Sequence, residues 1–338
     1  MQHVPHFALE CGTVLEDVRQ AYYLDGALNE QRDNVVVVLH ALTGDADATG
    51  SWWREVIGPG RAVDTDRYAV LAPNLLGSCY GSTGPANYGQ REFPPVTPRD
   101  QARFVGLLVN ELGVESLALI TGGSLGGMVA MEWALEHPGR ARSVVAMAAP
   151  AAHTAYAIGW NHIQRQLVEE LGGRGIELAR QVAMMTFRTE AELGERFGRC
   201  TVGGSGCQNR EGSGNAASAS RSGGWQVTSW LDHHGRKLRG RYDGATYATL
   251  LGAMDAHDVG RGRGGVARAL ASLTGRVVAV GIRGDLLYSA DEVYHWSALA
   301  GAEYEEIASA HGHDAFLLEH EQVGRILAGA LGAPGSGT

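Results

Sequence analysis

Cysteine is scarce in this chain. Four residues in 338, Cys11, Cys79, Cys200 and Cys207, show no C-x-x-C pair and no zinc spacing. That argues against a disulfide-stapled or zinc-built fold and fits a reduced, cytoplasmic protein. Positive charge is also in deficit, with a net charge of -9, which argues against nucleic acid or an anionic membrane as the main partner. No apolar run approaches the roughly 18 residues of a membrane span. The first residues, MQHVPHFALECG, carry neither a basic n-region nor an apolar h-region, so a secretory leader is not expected. No internal repeat is visible. What remains is a chain long enough to bury a full α/β core without covalent help.

What is present is a strand that ends in a serine. Leu117-Ala118-Leu119-Ile120 leads into TGGSLGG (121–127), and Met128, Val129, Met131, Trp133, Ala134 and Leu135 follow at helical spacing. A strand feeding a helix through Gly-x-Ser-x-Gly is the context of a nucleophile elbow. Gly122 and Gly126 leave room for the turn, and the turn lifts the Ser124 hydroxyl clear of the sheet. It also sets Ser124 at a helix N-terminus, where free N–H groups and the dipole favour developing negative charge. With 48 glycines the pattern alone is weak, and the flanking elements give it weight.

Along the chain, 1–33 read as short antiparallel strands. The segments 34–40 (NVVVVLH), 68–73, 116–121, 143–149, 276–282 and 303–307 read as further strands, with helices over 98–112, 124–137, 290–300 and 319–331. The alternation predicts a mostly parallel, doubly wound sheet with ligands at the carboxyl ends of its strands. The small residues of loop 74–85 predict a backbone passing close to a ligand or to the elbow. Between 153 and 266 the strand pattern gives way to helical spacing, so 1–152 and 267–338 form the core and 153–266 an inserted helical lid. Within the lid, 202–224 is Gly/Ser-rich and almost without apolar residues, which reads as an exposed, flexible loop. The C-terminal GAPGSGT reads as frayed. GRGRGG (260–265) lacks the G-K-[ST] of a phosphate loop and follows no strand. Asp255, His257 and Asp258 lack a further ligand at metal spacing and read as a capped helix end. Trp52 and Trp53 read as loop packing.

A serine hydroxyl is a poor nucleophile until an imidazole takes its proton, and the imidazole needs a carboxylate to fix its tautomer. In the α/β-hydrolase order the acid follows the serine and the histidine comes last. Asp285 stands just past strand 276–282, with Asp291 as a rival. His313 stands past strand 303–307, with His311 as a rival. In that fold the loop after an early strand and the residue after the nucleophile supply the oxyanion-hole N–H groups, which nominates Leu42 (or its neighbour Ala41) in HALTG and Leu125.

HALTGDAD, IGPGRAVDTDRY, NLLGSCYGSTGP, FPPVTPRD, TGGSLGGMVAMEWA, FGR, SWLDHHGRKLRGRYDGATY, AMDAHDVGRGRGG and GHDAFL together resemble the homoserine O-acetyltransferase family, over about residues 40 to 318. The resemblance implies an α/β-hydrolase fold with a helical lid and commonly a homodimer formed through that lid. It implies acetyl transfer from acetyl-CoA, a co-substrate rather than a bound cofactor, to the homoserine hydroxyl by a ping-pong route that feeds methionine synthesis. No metal is implied. Carried over residue by residue, it places the nucleophile on Ser124, the acid on Asp285 and the base on His313. It places the substrate carboxylate on Arg165 and the substrate ammonium on Asp314. Relatives of this architecture acylate serine, use succinyl-CoA or acetylate a specialised metabolite, and an esterase would use the same triad with water as acceptor. Segments after Pro85 and Gln166 are shorter here than in many members, and both border the expected acceptor site.

Overall fold

Val35–Leu39 has no polar side chain on either face, so it is stable only as a strand covered on both sides. In the computed structural model, which describes residues 1–89, 92–203 and 224–332, every residue of this segment is buried. The strands in chain order are β1 (Gln2–Ala8), β2 (Val14–Gln20), β3 (Tyr22–Asp25), β4 (Val35–Leu39), β5 (Ile57–Gly58), β6 (Val63–Asp64), β7 (Ala69–Pro73), β8 (Leu119–Gly123), β9 (Ser143–Met147), β10 (Arg276–Ile282) and β11 (Glu303–Ile307). Seven of them make one sheet in the order β11-β10-β9-β8-β4-β7-β3, parallel throughout except for the antiparallel edge strand β3. β1 and β2 form a separate hairpin.

Side-chain alternation divides the core into two layers. Val35, Val37 and Leu39 face α1 (Pro98–Glu111) and α2 (Leu125–Glu136), packing with Val105, Leu108, Met128 and Trp133. Val36 and Val38 face the opposite layer with Trp53, Val145, Val280, Ile307, Val323 and Leu327. Each such side chain contributes about 1.5–3 kcal/mol by leaving water. Trp53 is fully buried and its indole donates to the Phe316 carbonyl at 2.9 Å, the packing role expected of it.

Between β9 and β10 the described residues form helices and isolated bridges only: α3 (Ala155–Phe187), α4 (Glu190–Phe197), α5 (Gln226–Arg239), α6 (Gly244–Asp255) and α7 (Val266–Leu270). The ends of this segment meet. Ala152 bridges Asp258, His153 N–H donates to the His257 carbonyl at 2.8 Å, and Val259 N–H donates to Ala151 at 3.0 Å. α3 is broken by a kink at Gly172 (φ 51°, ψ −125°), where helical spacing alone suggests continuity. α8 (Ala290–Ala300) joins β10 to β11, and α9 (Ala315–Leu318) and α10 (His320–Ala330) follow β11.

Three expectations change or go unanswered. Loop 74–85 does not spend its small residues on the elbow. A side chain at Gly84 would strike the Ser78 carbonyl, one at Gly77 would crowd Val96 and Thr249, and Thr83 N–H reaches back to Arg19. Cys11 and Cys79 are free, and Cys200 is disulfide-bonded, a bond that the cysteine spacing did not announce. Residues 204–223 of the Gly/Ser-rich stretch, and 333–338, lie outside the described residues. Among the described residues no helix is long and apolar enough to cross a membrane.

Candidate active site

β8 ends in the elbow. Ser124 sits at φ 55°, ψ −122°, a conformation side-chain-bearing residues rarely adopt. The turn holds because its neighbours lack side chains: a Cβ at Gly126 would lie 2.2 Å from the Leu39 carbonyl oxygen, and one at Gly122 2.6 Å from the same atom. Ser124 N–H donates to Met147 at 2.9 Å, tying the elbow to β9. The side chain stands at the N-terminus of α2, buried, and among the described residues its hydroxyl makes no hydrogen bond.

Asp285 follows β10. Its Oδ1 accepts from the backbone N–H groups of Leu287 and Tyr288 at 2.8 and 3.0 Å, which leaves Oδ2 for His313 Nδ1 at 2.7 Å. Both residues are buried. Burial opposes charge on the imidazole, yet the Asp285 carboxylate, its hydrogen bond and Asp314 outweigh that and raise His313 above the ordinary histidine value. His313 Nε2 makes no hydrogen bond among the described residues. The imidazole is walled by Phe187, Tyr288 and Phe316, with ring centroids at 5.4, 5.3 and 5.7 Å. Phe316 links this side to the elbow, because its ring leaves only 2.3 Å for a side chain at Gly123. The rivals are placed elsewhere. Asp291 is exposed in the first turn of α8, and His311 lies 3.1 Å from Glu192.

The backbone N–H groups of Leu42 and Leu125 donate no hydrogen bond among the described residues, so both are available as donors. A serine at a strained turn, a buried aspartate–histidine pair and two idle N–H groups are the parts of an acyl-transfer site.

Comparison with known proteins agrees with this geometry. Residues 34–191 match the α/β hydrolase fold family model. A homoserine O-acetyltransferase of Thermobifida fusca is 42% identical, the alignment covering 94% of this chain and 89% of that protein. One from Thermus thermophilus is 41% identical, covering 95% and 88%. The chain belongs to the homoserine O-acetyltransferase family. Among solved structures, a homoserine O-acetyltransferase from Bacillus anthracis superposes with a TM-score of 0.86 at 20% identity over 100% of this chain and 98% of that one. Esterase E22 gives 0.84 at 20% identity over 98% of each chain. At that identity both likenesses concern the fold alone.

For a member of this family, the cations around the site are the informative part. Arg165 does not face the triad. Its guanidinium is committed to Asp255, and it lines a surface cleft with Glu10, Phe93, Glu169 and Arg261 that includes no triad residue. Asp255 is more than a helix end: it also accepts from Asn161 at 2.8 Å and lies 3.1 Å from His153 Nδ1, off the direction of a hydrogen bond. His257 and Asp258 turn to other partners, the Pro150 carbonyl and Gly260 N–H.

Sequence reasoning missed Arg180 and Arg188. Arg188 holds Glu192 at 2.8 Å and Asp314 Oδ2 at 3.0 Å, leaving Asp314 Oδ1 unpartnered among the described residues. Arg180 lies over the Phe187 ring at 5.6 Å, and Phe187 in turn flanks His313. Burial pulls Arg180 below its ordinary pKa despite the field of Asp314, and among the described residues it has no ion pair and no hydrogen bond. The signal available for Arg180 was its place about two helical turns before Phe187, on the same side of the Gly172 kink.

Proposed function

We propose that the protein transfers an acetyl group from acetyl-CoA to the side-chain hydroxyl of homoserine through an acyl-Ser124 intermediate. His313 takes the Ser124 proton as Oγ attacks the thioester carbonyl, and Leu42 and Leu125 N–H groups stabilise the oxyanion. The thiolate leaves with the proton from His313. The acceptor hydroxyl then gives its proton to His313 and attacks the acyl carbon, and Ser124 recovers its proton as the ester departs. Family membership supports the acceptor. One observation carries the amino-acid part of the reading: an unpaired guanidinium, Arg180, lies over the Phe187 ring that flanks His313 and within the field of the Asp314 carboxylate, which has one oxygen free. That pair matches the carboxylate and ammonium of a zwitterion, and a planar guanidinium suits the first task. The substrate-carboxylate role therefore passes from Arg165 to Arg180. The same reading carries cytoplasmic location and a homodimer through the lid, supported by the exposed Tyr156, Ile163 and Leu171 of α3 and checked by light scattering.

The test is thiol release from acetyl-CoA with homoserine, with serine and with no acceptor. Release that depends on homoserine supports the reading. Equal release in the blank makes the protein a hydrolase, and a preference for serine changes the acceptor. Arg180→Met is expected to raise the homoserine KM roughly 30- to 100-fold, the loss of a charge-assisted anion contact. Arg165→Met is expected to leave that KM within about threefold and to lower Tm instead, because Asp255 loses its partner. Equal effects from the two variants would sink the assignment of Arg180.

A further inference from the structure

Loop 40–44 presents three successive carbonyls, and each is held. The Ala41 oxygen accepts from Gly44 N–H at 2.9 Å and from His40 Nδ1 at 2.8 Å. His40 Nε2 accepts from Leu75 N–H at 3.0 Å, which fixes the tautomer with its proton on Nδ1. Burial keeps this imidazole neutral. The Leu42 oxygen accepts from the Tyr242 hydroxyl at 3.0 Å, and the Thr43 oxygen from Arg241 at 2.8 Å. His40 belongs to the sheet side, but Arg241 and Tyr242 come from the lid, between α5 and α6.

No peptide bond among the described residues is cis, so each C=O points opposite to the N–H of the following residue. Holding the Ala41 carbonyl aims the Leu42 N–H the other way. Holding the Leu42 carbonyl fixes the second peptide plane attached to that residue. With both planes set, the idle N–H has one direction, and a preorganised donor is worth far more to a developing oxyanion than one that must reorient.

We propose that Tyr242, assisted by Arg241, is a positioning residue through which the lid sets the Leu42 N–H for oxyanion stabilisation. This rests on the acyl-serine reading above. Tyr242 is built for a fixed post. Its ring stands edge-on to Tyr80 and Tyr247 at 6.0 and 6.4 Å, and its hydroxyl lies 3.2 Å from Ser78 Oγ. Burial pushes the phenol well above its ordinary pKa, so the donor stays protonated across working pH. Tyr80 supplies a graded comparison: its hydroxyl donates to the Arg241 carbonyl at 2.9 Å and accepts from Arg241 Nη1 at 3.0 Å, so it reaches the loop carbonyls only through Arg241.

The experiment measures acylation of Ser124 by p-nitrophenyl acetate, whose leaving group needs no proton, together with inhibition by a small trifluoromethyl ketone that forms an oxyanion on the serine. Tyr242→Phe is expected to slow acylation about tenfold and to weaken the ketone by the same factor, with ester binding within about twofold of the parent. Arg241→Met is expected to lose about threefold, because its bond to Thr43 is exposed to water, and it stands in should Tyr242→Phe fail to fold. Tyr80→Phe, which touches the clamp only through Arg241, is expected to acylate within about threefold of the parent. The proposal is overturned if Tyr242→Phe acylates within twofold of the parent, if the rate falls while ketone affinity does not, or if Tyr80→Phe loses as much. A parent whose Ser124-dependent acylation is normal but which ignores acetyl-CoA would overturn the proposed donor and leave the clamp to be decided by the same variants. A parent with no Ser124-dependent acylation would overturn both.

Discussion

Ser124→Ala is expected to lower kcat by about 10⁵ to 10⁶, close to the loss from removing a whole triad. The size follows from the geometry. The hydroxyl stands at the head of α2 in a turn that admits no side chain at Gly122 or Gly126, so no neighbouring nucleophile can move into its place. The oxyanion donors and the binding groups remain, and they sustain a residual rate about 10³ to 10⁴ above water alone. Thiol release from acetyl-CoA checks the first figure. Trapping of a radiolabelled acetyl group on the parent, and its absence from the variant, checks that the lost step is acylation. A variant retaining more than about a hundredth of the parent rate would mean that Ser124 is not the nucleophile.

Asp285→Asn is the second large effect, expected at about 10⁴ in kcat with the fold intact. The amide still accepts from Leu287 and Tyr288 but no longer fixes His313 with its proton on Nδ1. The pH profile gives an independent sign. His313 must be neutral to take the serine proton, so kcat/KM rises with pH through its folded pKa. Burial lowers that pKa, while Asp285 and Asp314 raise it to a net position above the ordinary value. Removing the Asp285 charge leaves burial in place, and the acid limb moves to lower pH even as the plateau collapses. Glu292 is raised to about 7 by burial and by Asp285, so the comparison is made in a Glu292→Gln background. Stability follows the linkage. A histidine raised by its partner stabilises the fold fully below the unfolded pKa, and that contribution fades as pH climbs through the folded one. The aspartate variant therefore loses more Tm at acid than at alkaline pH. A limb that stays put would remove the ion pair from the mechanism.

The elbow, the buried strands and the order Ser124, Asp285, His313 were legible because each is a local pattern: β-branched runs, a turn that demands glycine, residues at strand ends. The cations were not. Arg165 and Arg180 lie on the same stretch of helix, and which face each occupies depends on helical phase. Gly172 breaks that phase between them, so spacing on one side says nothing about the other. Tyr242 was legible only as one residue of the helical span 153–266. Its hydroxyl partner Leu42 is 200 residues away along the chain, beyond any periodicity. Asp255 read as a helix end because its three neighbours, His153, Asn161 and Arg165, come from the opposite end of the segment between β9 and β10.

The pinned ends of that segment have a consequence of their own. Ala152 and Asp258 close it into a loop on a fixed base, so the sheet's register is set without reference to how much chain the loop contains. For a long loop on a closed base, doubling the length adds only about 0.6 kcal/mol of closure entropy. The helices between β9 and β10 can therefore lengthen or shrink while the turns after β8, β10 and β11 that carry Ser124, Asp285 and His313 stay in place. The inserted segment is thus a separately variable part of the chain, apart from the contacts of Arg241 and Tyr242 with loop 40–44 and of Phe187 and Arg188 with His313 and Asp314.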